Sequence, residues 1–314
     1  MSRVKKVTVI GLGETGTSFA GAFSEKPDLY EVIGCDPERT AEQRAESGHR
    51  VSRIEHDPSA AVTNADLILL TVPPDLTDKV LECIGGHVRD DAVILDSCPC
   101  KAAAAALAGR HLKHPENYLG IWPAASAFPH KAFLFIAADQ STSEAAIRTA
   151  SDLSELLGME RFFIDSLELD GLIAAVYDLP LLAANGLMGC LGRQPGWKDG
   201  QKAAERTLIG MTEPLCGGNG DEAPEEAFLN NRENTVRMLD EYIAELAELR
   251  DLLDQGDGTG LKDRLGSGRK IREQWLGDQR QKNKDKTVLS GMPAPAEMMA
   301  HTFFGGLLRK KDRN

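Results

Sequence analysis

The sequence predicts an α/β protein in two parts: a doubly wound parallel sheet over residues 1–165, then an all-α part over residues 166–314. Three observations carry this expectation. Short apolar runs alternate with helix-like segments as far as Ile164, the pattern of parallel strands joined by helical crossovers. The first run opens directly into the glycine spacing Gly11, Gly13, Gly16. From Leu167 onward the strand-like runs stop and apolar residues recur at helical spacing.

The first element is the strand Val7 to Ile10, entered from the charged stretch Arg3 to Lys6. Gly11-Leu12-Gly13-Glu14-Thr15-Gly16 then turns into a helix. Gly11 permits the tight turn, Gly13 lets a pyrophosphate approach the backbone, and Gly16 lets the helix lie close on the strand; the helix N-terminus faces the phosphates. Glu31 to Asp36 is a second apolar run ending in an acid, as a Rossmann-type dinucleotide-binding domain requires. A carboxylate at Asp36 accepts hydrogen bonds from ribose hydroxyls and repels a 2′-phosphate, which favours NAD. Arg39 close by keeps NADP open.

Glu38 to Ser47 reads as a polar helix, Arg50 to Ile54 as a short strand, and Asp57-Pro58-Ser59 as the start of the next helix. Asp66 to Val72 is a buried strand stopped by Pro73-Pro74, and the helix Asp75 to Ile84 ends at Gly85-Gly86. Ala92 to Asp96 is a strand, Lys101 to Arg110 an alanine-rich helix, and Tyr118 to Ile121 and Ala132 to Ala138 are strands. Ser143 to Leu157 is a helix stopped by Gly158, and Arg161 to Ile164 closes the series. Ligands of such sheets lie beyond the carboxyl ends of the strands. Chemistry is therefore expected from Gly11 to Gly16, Asp36, Thr71 to Pro74, Asp96 to Lys101 and Gly120 to Ser126.

In the second part, Leu167 to Leu191 is a long apolar helix interrupted by Asp170, Asp178 and Asn185. Such a helix needs cover at a subunit or domain interface. Arg193 to Gly200 reads as a loop, Lys202 to Met211 as a helix, and Glu213 to Gly220 as a break. Glu225 to Leu253 is one amphipathic helix, apolar at Val236, Leu239, Ile243, Leu246 and Leu249, and Gln255 to Gly260 ends it. Lys262 to Lys286 holds nine Lys or Arg against four acids. Its ordinary reading is a solvated helix, its functional one a contact with an anionic substrate or partner subunit. In the tail, Met298 to Lys311, the residues Phe303, Phe304 and Leu307 are expected to pack on the helices.

A hydrophobic content of 42% with 27% charged residues is that of a globular chain. A net charge of −12 argues against general nucleic-acid binding. No apolar run is expected to reach the length of a membrane span, and Val7 to Leu12 is too short for a signal-peptide core. The six cysteines show no zinc spacing, and Cys98-Pro99-Cys100 reads as two reduced thiols in a loop. The expectation is a cytoplasmic protein with no metal, no nucleic-acid partner and no membrane contact.

Several segments together resemble the prephenate/arogenate dehydrogenase family, the TyrA-type enzymes. The glycine turn with Ser18 is similar to the family's start, and Ala65-Asp66 to Pro73 to its fourth strand. Asp96 to Lys101 resembles the family's Asp-x-x-Ser-x-Lys, and Gly120-Ile121-Trp122-Pro123 lies where the family has Gly-Ser-His-Pro. Asp170 and Tyr177-Asp178-Leu179-Pro180 look like its His-Asp and Ser-His-Leu-Pro, and Asn231-Arg232-Glu233-Asn234 like its Asn-Arg-Glu-Asn. The resemblance implies hydride transfer to a nicotinamide, an active site between the domains, and a homodimer through the helical part. It also implies a small carboxylate as substrate.

The departures fall on the family's chemistry. Trp122 stands where the resemblance places the catalytic histidine, Pro99 at its serine partner, Asp178 at the histidine of Ser-His-Leu-Pro, and Leu169 at that of His-Asp. An indole nitrogen only donates, and proline offers no side-chain hydrogen bond. Such a general base is worth about a hundredfold to ten-thousandfold in rate. An altered centre is therefore expected, with Asp178, Lys101 and Trp122 facing the substrate and His130 and Tyr177 as further candidates. Val72 and Pro73 are expected along the cofactor path, with Asp96 and Pro99 near the nicotinamide. Each has a blander reading: Asp178 as a structural acid, Lys101 as a loop tie, His130 as a solvated loop residue, Trp122 as core. A dehydrogenase with a new substrate is weighed against a dinucleotide-binding sensor without turnover.

Overall fold

The computed structural model describes residues 3–125, 132–216 and 224–286. Its first part holds one eight-stranded sheet in the order β3-β2-β1-β4-β5-β6-β7-β8. The strands are β1 Lys5–Ile10, β2 Tyr30–Cys35, β3 Arg53–Ile54, β4 Leu67–Leu70, β5 Val93–Asp96, β6 Tyr118–Ala125, β7 Ala132–Ala137 and β8 Glu160–Ile164. They are joined through helices α1 Glu14–Ser24, α2 Arg39–Ser47, α3 Pro58–Val62, α4 Pro74–Ile84, α5 Lys101–His111 and α6 Glu144–Leu156.

The two-residue period of a strand, buried on both faces, explains why β4 is apolar throughout and β5 as far as Leu95. Leu67, Leu69, Val93 and Leu95 enter one core with Phe19, Ala20 and Phe23 of α1 and Ala146, Ala150 and Leu153 of α6. Ile68, Leu70 and Ile94 enter the other with Leu81 and Ile84 of α4 and Ala104 and Ala108 of α5. Both faces are covered, so the sheet is doubly wound. The chain runs outward through β2 and β3, then returns to the other side of β1 as β4. This reversal opens a crevice at the carboxyl ends of β1 and β4.

The expectation of a wholly parallel sheet needs one correction. β6 and β7 pair antiparallel, with Trp122 opposite Phe135. The connection, residues 126–131, is too short for a helical crossover, which takes about a dozen residues or more. β7 and β8 are parallel again through α6.

The second part is helical: α7 Ser166–Ile173, a π-turn Ala174–Asp178, α8 Leu179–Gly192, α9 Trp197–Ala203, α10 Arg206–Thr212, α11 Pro224–Asn230, α12 Arg232–Asp254 and α13 Gly258–Lys286. Asp165 starts α7, accepting from Leu167 N at 2.8 Å and Glu168 N at 3.3 Å. The π-turn ends two residues before Pro180. In an unbroken α-helix that proline would leave the carbonyl four residues back unpaired and press its ring on it. The wider turn accommodates both effects.

Four expectations change here. Part of the loop expected at 193–200 is helical in α9, and the helix expected over 202–211 breaks between α9 and α10. The helix expected over 225–253 is two helices, parted at Asn231. The segment Ser166–Gly192 spans 27 residues at mean hydropathy 1.4. By length and composition alone it would reach across a membrane, contrary to expectation, although Asp170 and Asp178 within it are buried. The basic segment is helical in α13, while Met298 to Lys311 lies outside the described residues.

Candidate active site

The glycine turn is built by contacts that exclude side chains at two of its three glycines. Gly11 has φ of +94°, and a Cβ there would sit 2.4 Å from the Thr71 carbonyl oxygen. Its N–H donates to Cys35 O at 2.9 Å, and Thr71 Oγ1 donates to its carbonyl at 2.6 Å. A Cβ at Gly16 would lie 1.9 Å from Gly11 O. Gly13 differs: it is exposed, and a Cβ there would meet no protein atom within 4 Å. Gly13 also precedes α1 without any side-chain cap on the helix. Open space before an uncapped helix N-terminus fits a pyrophosphate. Leu12 is buried, Thr15 half-buried and Glu14 exposed at the head of α1.

Asp36 follows β2 and is pinned by two backbone donors, Leu12 N at 2.5 Å and Glu38 N at 2.8 Å. A carboxylate has about four acceptor positions, so two are left for ribose hydroxyls. Arg39 is exposed at the start of α2. The acids Asp36, Glu42, Glu55 and Asp57 all act on Cys35, whose thiol burial and these charges push up to about 12. Val72 and Pro73 follow β4, one buried and the other half-buried.

Beyond β5 the chain is tied down by buried polar groups. Asp96 is 1% exposed and accepts from Cys98 N at 2.8 Å and Tyr118 OH at 2.5 Å. Burial raises its carboxyl, while the Lys101 charge and these donors pull it down. Lys101 is also 1% exposed. Its Nζ donates to Ile121 O at 2.6 Å and to Cys98 O, and lies 5.5 Å from the Trp122 ring centroid. Burial lowers this amine. The Lys101 ammonium is thus directed to two main-chain carbonyls. Half-buried Pro99 sits between buried Cys98 and Cys100. Interaction between the two thiols lowers Cys98 and raises Cys100, burial adding to the rise at Cys100.

The helical part closes on this loop. Cys100 Sγ donates to Ala227 O of α11 at 3.2 Å. Asp170 of α7 accepts from the backbone N–H groups of Lys101 at 2.7 Å and Ala102 at 3.0 Å. Asn231 Nδ2 donates to Asp170 O at 2.8 Å and to Asp178 Oδ2 at 3.5 Å, and Thr235 Oγ1 donates to that same Oδ2 at 3.1 Å. Asp178 is only 2% exposed, and burial raises its carboxyl. Its partners Asn231 and Thr235 were given no role from sequence; only the Asn-Arg-Glu-Asn likeness marked their neighbourhood. Trp122 meets the half-exposed Tyr177 edge to face, with centroids 5.6 Å apart. The structure therefore brings Lys101, Trp122, Tyr177, Asp170 and Asp178 to one region. His130 lies outside the described residues. Among the described residues no cluster of metal-ligating side chains occurs.

Comparison with known proteins agrees with this frame. A sequence model described as the nucleotide-binding domain of prephenate dehydrogenase matches residues 19–127. A prephenate dehydrogenase of Lactococcus lactis subsp. cremoris is 26% identical over 288 residues, 86% of this chain and 77% of that protein. A cyclohexadienyl dehydrogenase of Zymomonas mobilis is 24% identical over 290 residues, 87% of this chain and 96% of the other. The crystal structure of prephenate dehydrogenase from A. aeolicus, in complex with hydroxyphenyl propionate and NAD+, superposes with a TM-score of 0.77 at 16% identity. The match covers 87% of this chain and 99% of that one, and shows a shared fold.

Proposed function

We propose that the chain is a member of the prephenate dehydrogenase family and an NAD-dependent oxidoreductase acting on a small carboxylate at an altered centre. The observation that carries the cofactor is the glycine turn, closed to side chains at Gly11 and Gly16 and open at Gly13. Gly11 to Gly16 hold the pyrophosphate, and Asp36 the ribose. Bound NAD supplies a hydride acceptor at its nicotinamide ring. Asp96 and Pro99 border that ring, with Val72 and Pro73 on the path to it. Trp122 and Tyr177 form an aromatic wall on which a flat or cyclic substrate packs.

The relatives are named for prephenate and cyclohexadienyl substrates. This chain's residues argue against the same proton transfer, since neither Trp122 nor Pro99 can take a hydroxyl proton. A second reading, a nucleotide-binding sensor without turnover, is favoured by one observation. Lys101 Nζ and the Asp178 carboxylate are both committed to internal hydrogen bonds.

The helical part is proposed to form a homodimer in the cytoplasm. Leu167 and Val176 on the apolar helix and Val236, Ile243, Leu246 and Leu253 on α12 are exposed. The α12 residues recur at seven- and three-residue steps, on one face of the helix, the seam of a helix that packs on another. Sedimentation should give twice the chain mass; a monomer at micromolar concentration refutes this.

The deciding experiment titrates NADH fluorescence with purified protein and follows NADH formation from NAD with prephenate, then arogenate, then with NADP. Binding with turnover supports the enzyme. Binding without turnover moves the search to other cyclic carboxylates and to the sensor. No binding of either dinucleotide refutes both.

A further inference from the structure

The first turn of α5 is capped from the wrong domain. Helices are ordinarily capped by the residue just before them, through a Ser, Thr, Asp or Asn side chain. Cys100 holds that position and makes no such bond. The acceptor comes instead from Asp170, 69 positions away on α7. Its two oxygens take one N–H each, from Lys101 and Ala102. The carboxylate is 4% exposed, and its own backbone carbonyl is held by Asn231. A negative charge at this helix end is also favoured by the helix dipole.

The cap reaches the cofactor path through the chain just before α5. Residues 97–100 connect β5 to α5 and are held at both ends. Asp96 grips Cys98 N, Lys101 Nζ grips Cys98 O, and Asp170 grips the two N–H groups that follow. Removing the last grip leaves, of the loop's ties to the helical part, the weaker thiol bond from Cys100 to Ala227 O. The loop lies at the carboxyl end of β5, beyond β4 from the glycine turn. A dinucleotide running from Asp36 across the turn reaches it with its far, nicotinamide end.

We propose that Asp170 is a positioning residue through which the helical part sets the loop 97–100 against the nicotinamide end of the dinucleotide. The proposal rests on the reading of the chain as an NAD-binding protein. It predicts a split between two ligands. ADP-ribose carries the adenosine, the pyrophosphate and the second ribose but no nicotinamide, so it keeps the contacts at the glycine turn and Asp36 and loses those of the ring.

The test is calorimetric titration of the full chain with NAD and with ADP-ribose, for wild type, Asp170→Asn and Asp170→Ala. Asn keeps one acceptor and turns an amide N–H toward the other donor. NAD affinity should fall about tenfold, the scale of a lost helix cap, while ADP-ribose affinity stays within about twofold. Adding Cys100→Ser to Asp170→Ala supplies a cap from the ordinary position and should recover part of the NAD affinity. Asp165→Asn, which loosens the start of α7 but not of α5, should leave both ligands unchanged. Parallel loss of both ligands, an unchanged NAD to ADP-ribose ratio, or failure of the serine to rescue would each overturn the positioning role. Should Asp170→Ala not fold, the Asp170→Asn ratio decides alone. Wild type binding ADP-ribose and NAD equally refutes the proposal but not nucleotide binding; wild type binding neither removes both.

Discussion

Replacing Lys101 by Met tests whether that side chain is a strut or a substrate group. Methionine keeps most of the length and the apolar stem but donates nothing. The Ile121 carbonyl, now 2.6 Å from Nζ, and the Cys98 carbonyl would both lose their donor in a site that is 1% exposed. An unpaired buried acceptor costs about 1–3 kcal/mol, so the two together cost about 2–6 kcal/mol. Asp96 would also lose the charge that restrains its raised carboxyl. Against this, the lysine's own desolvation, which lowers its amine, is relieved. The net expectation is a loss of about 2–4 kcal/mol, toward the lower part of that range. Urea denaturation at neutral pH, followed by far-ultraviolet circular dichroism, measures it. NAD affinity should weaken in parallel, because Cys98 is released. A Lys101→Met protein within about 0.5 kcal/mol of wild type, with only its substrate KM raised, would refute the strut and restore a substrate-facing ammonium.

Two further outcomes follow from the same contacts. The Asp178 carboxyl is raised by burial, so the folded protein holds that proton to higher pH than the unfolded chain, and ionisation erodes stability as pH climbs above 3.8. Asp178→Asn keeps an acceptor for Thr235 and removes the charge. It should match or exceed wild type at neutral pH, with the advantage gone below 3.8; denaturation curves at both pH values check this, and a clear loss at neutral pH contradicts it. At the turn, Gly16→Ala would force a Cβ to 1.9 Å from a backbone oxygen, whereas Gly13→Ala meets nothing within 4 Å. Gly16→Ala should lower the melting temperature sharply, and Gly13→Ala should leave it unchanged while weakening NAD at least about tenfold. Equal melting temperatures for the two would show that the turn is not built this way.

What the sequence made legible was local. The glycine spacing could be read because each glycine's task is set within a few residues, and β4 could be read because Leu67 to Leu70 are all apolar. The direction of β7 was not legible from its own residues. Ala132 to Ala137 looks the same in either direction, and the answer lies in the shortness of 126–131. The start of α5 was ambiguous for a different reason. Lys101 at a helix N-terminus fits a substrate-binding cation and a loop tie equally, and the carbonyl partners that favour the tie come from the loop before it and from Ile121 on a neighbouring strand.

Asp178 shows where a pKa argument and an access argument part. An acid on an apolar helix was expected to be desolvated and so to titrate upward, and it does. Yet Thr235 and Asn231, 57 and 53 positions along the chain, donate to one of its oxygens and pull the carboxyl back down against that burial. No period in the sequence reveals that packing, and the π-turn compounds it. A wider turn shifts every later residue around the helix axis relative to an α-helical projection. The only sign of it is Pro180, two positions later. A base must be both raised in pKa and within hydrogen-bond reach of the proton it takes. Burial on this helix supplies the first property and limits the second to one oxygen. Thr235 and Asn231 hold Oδ2, so any base catalysis by Asp178 would run through Oδ1 unless they release the other oxygen.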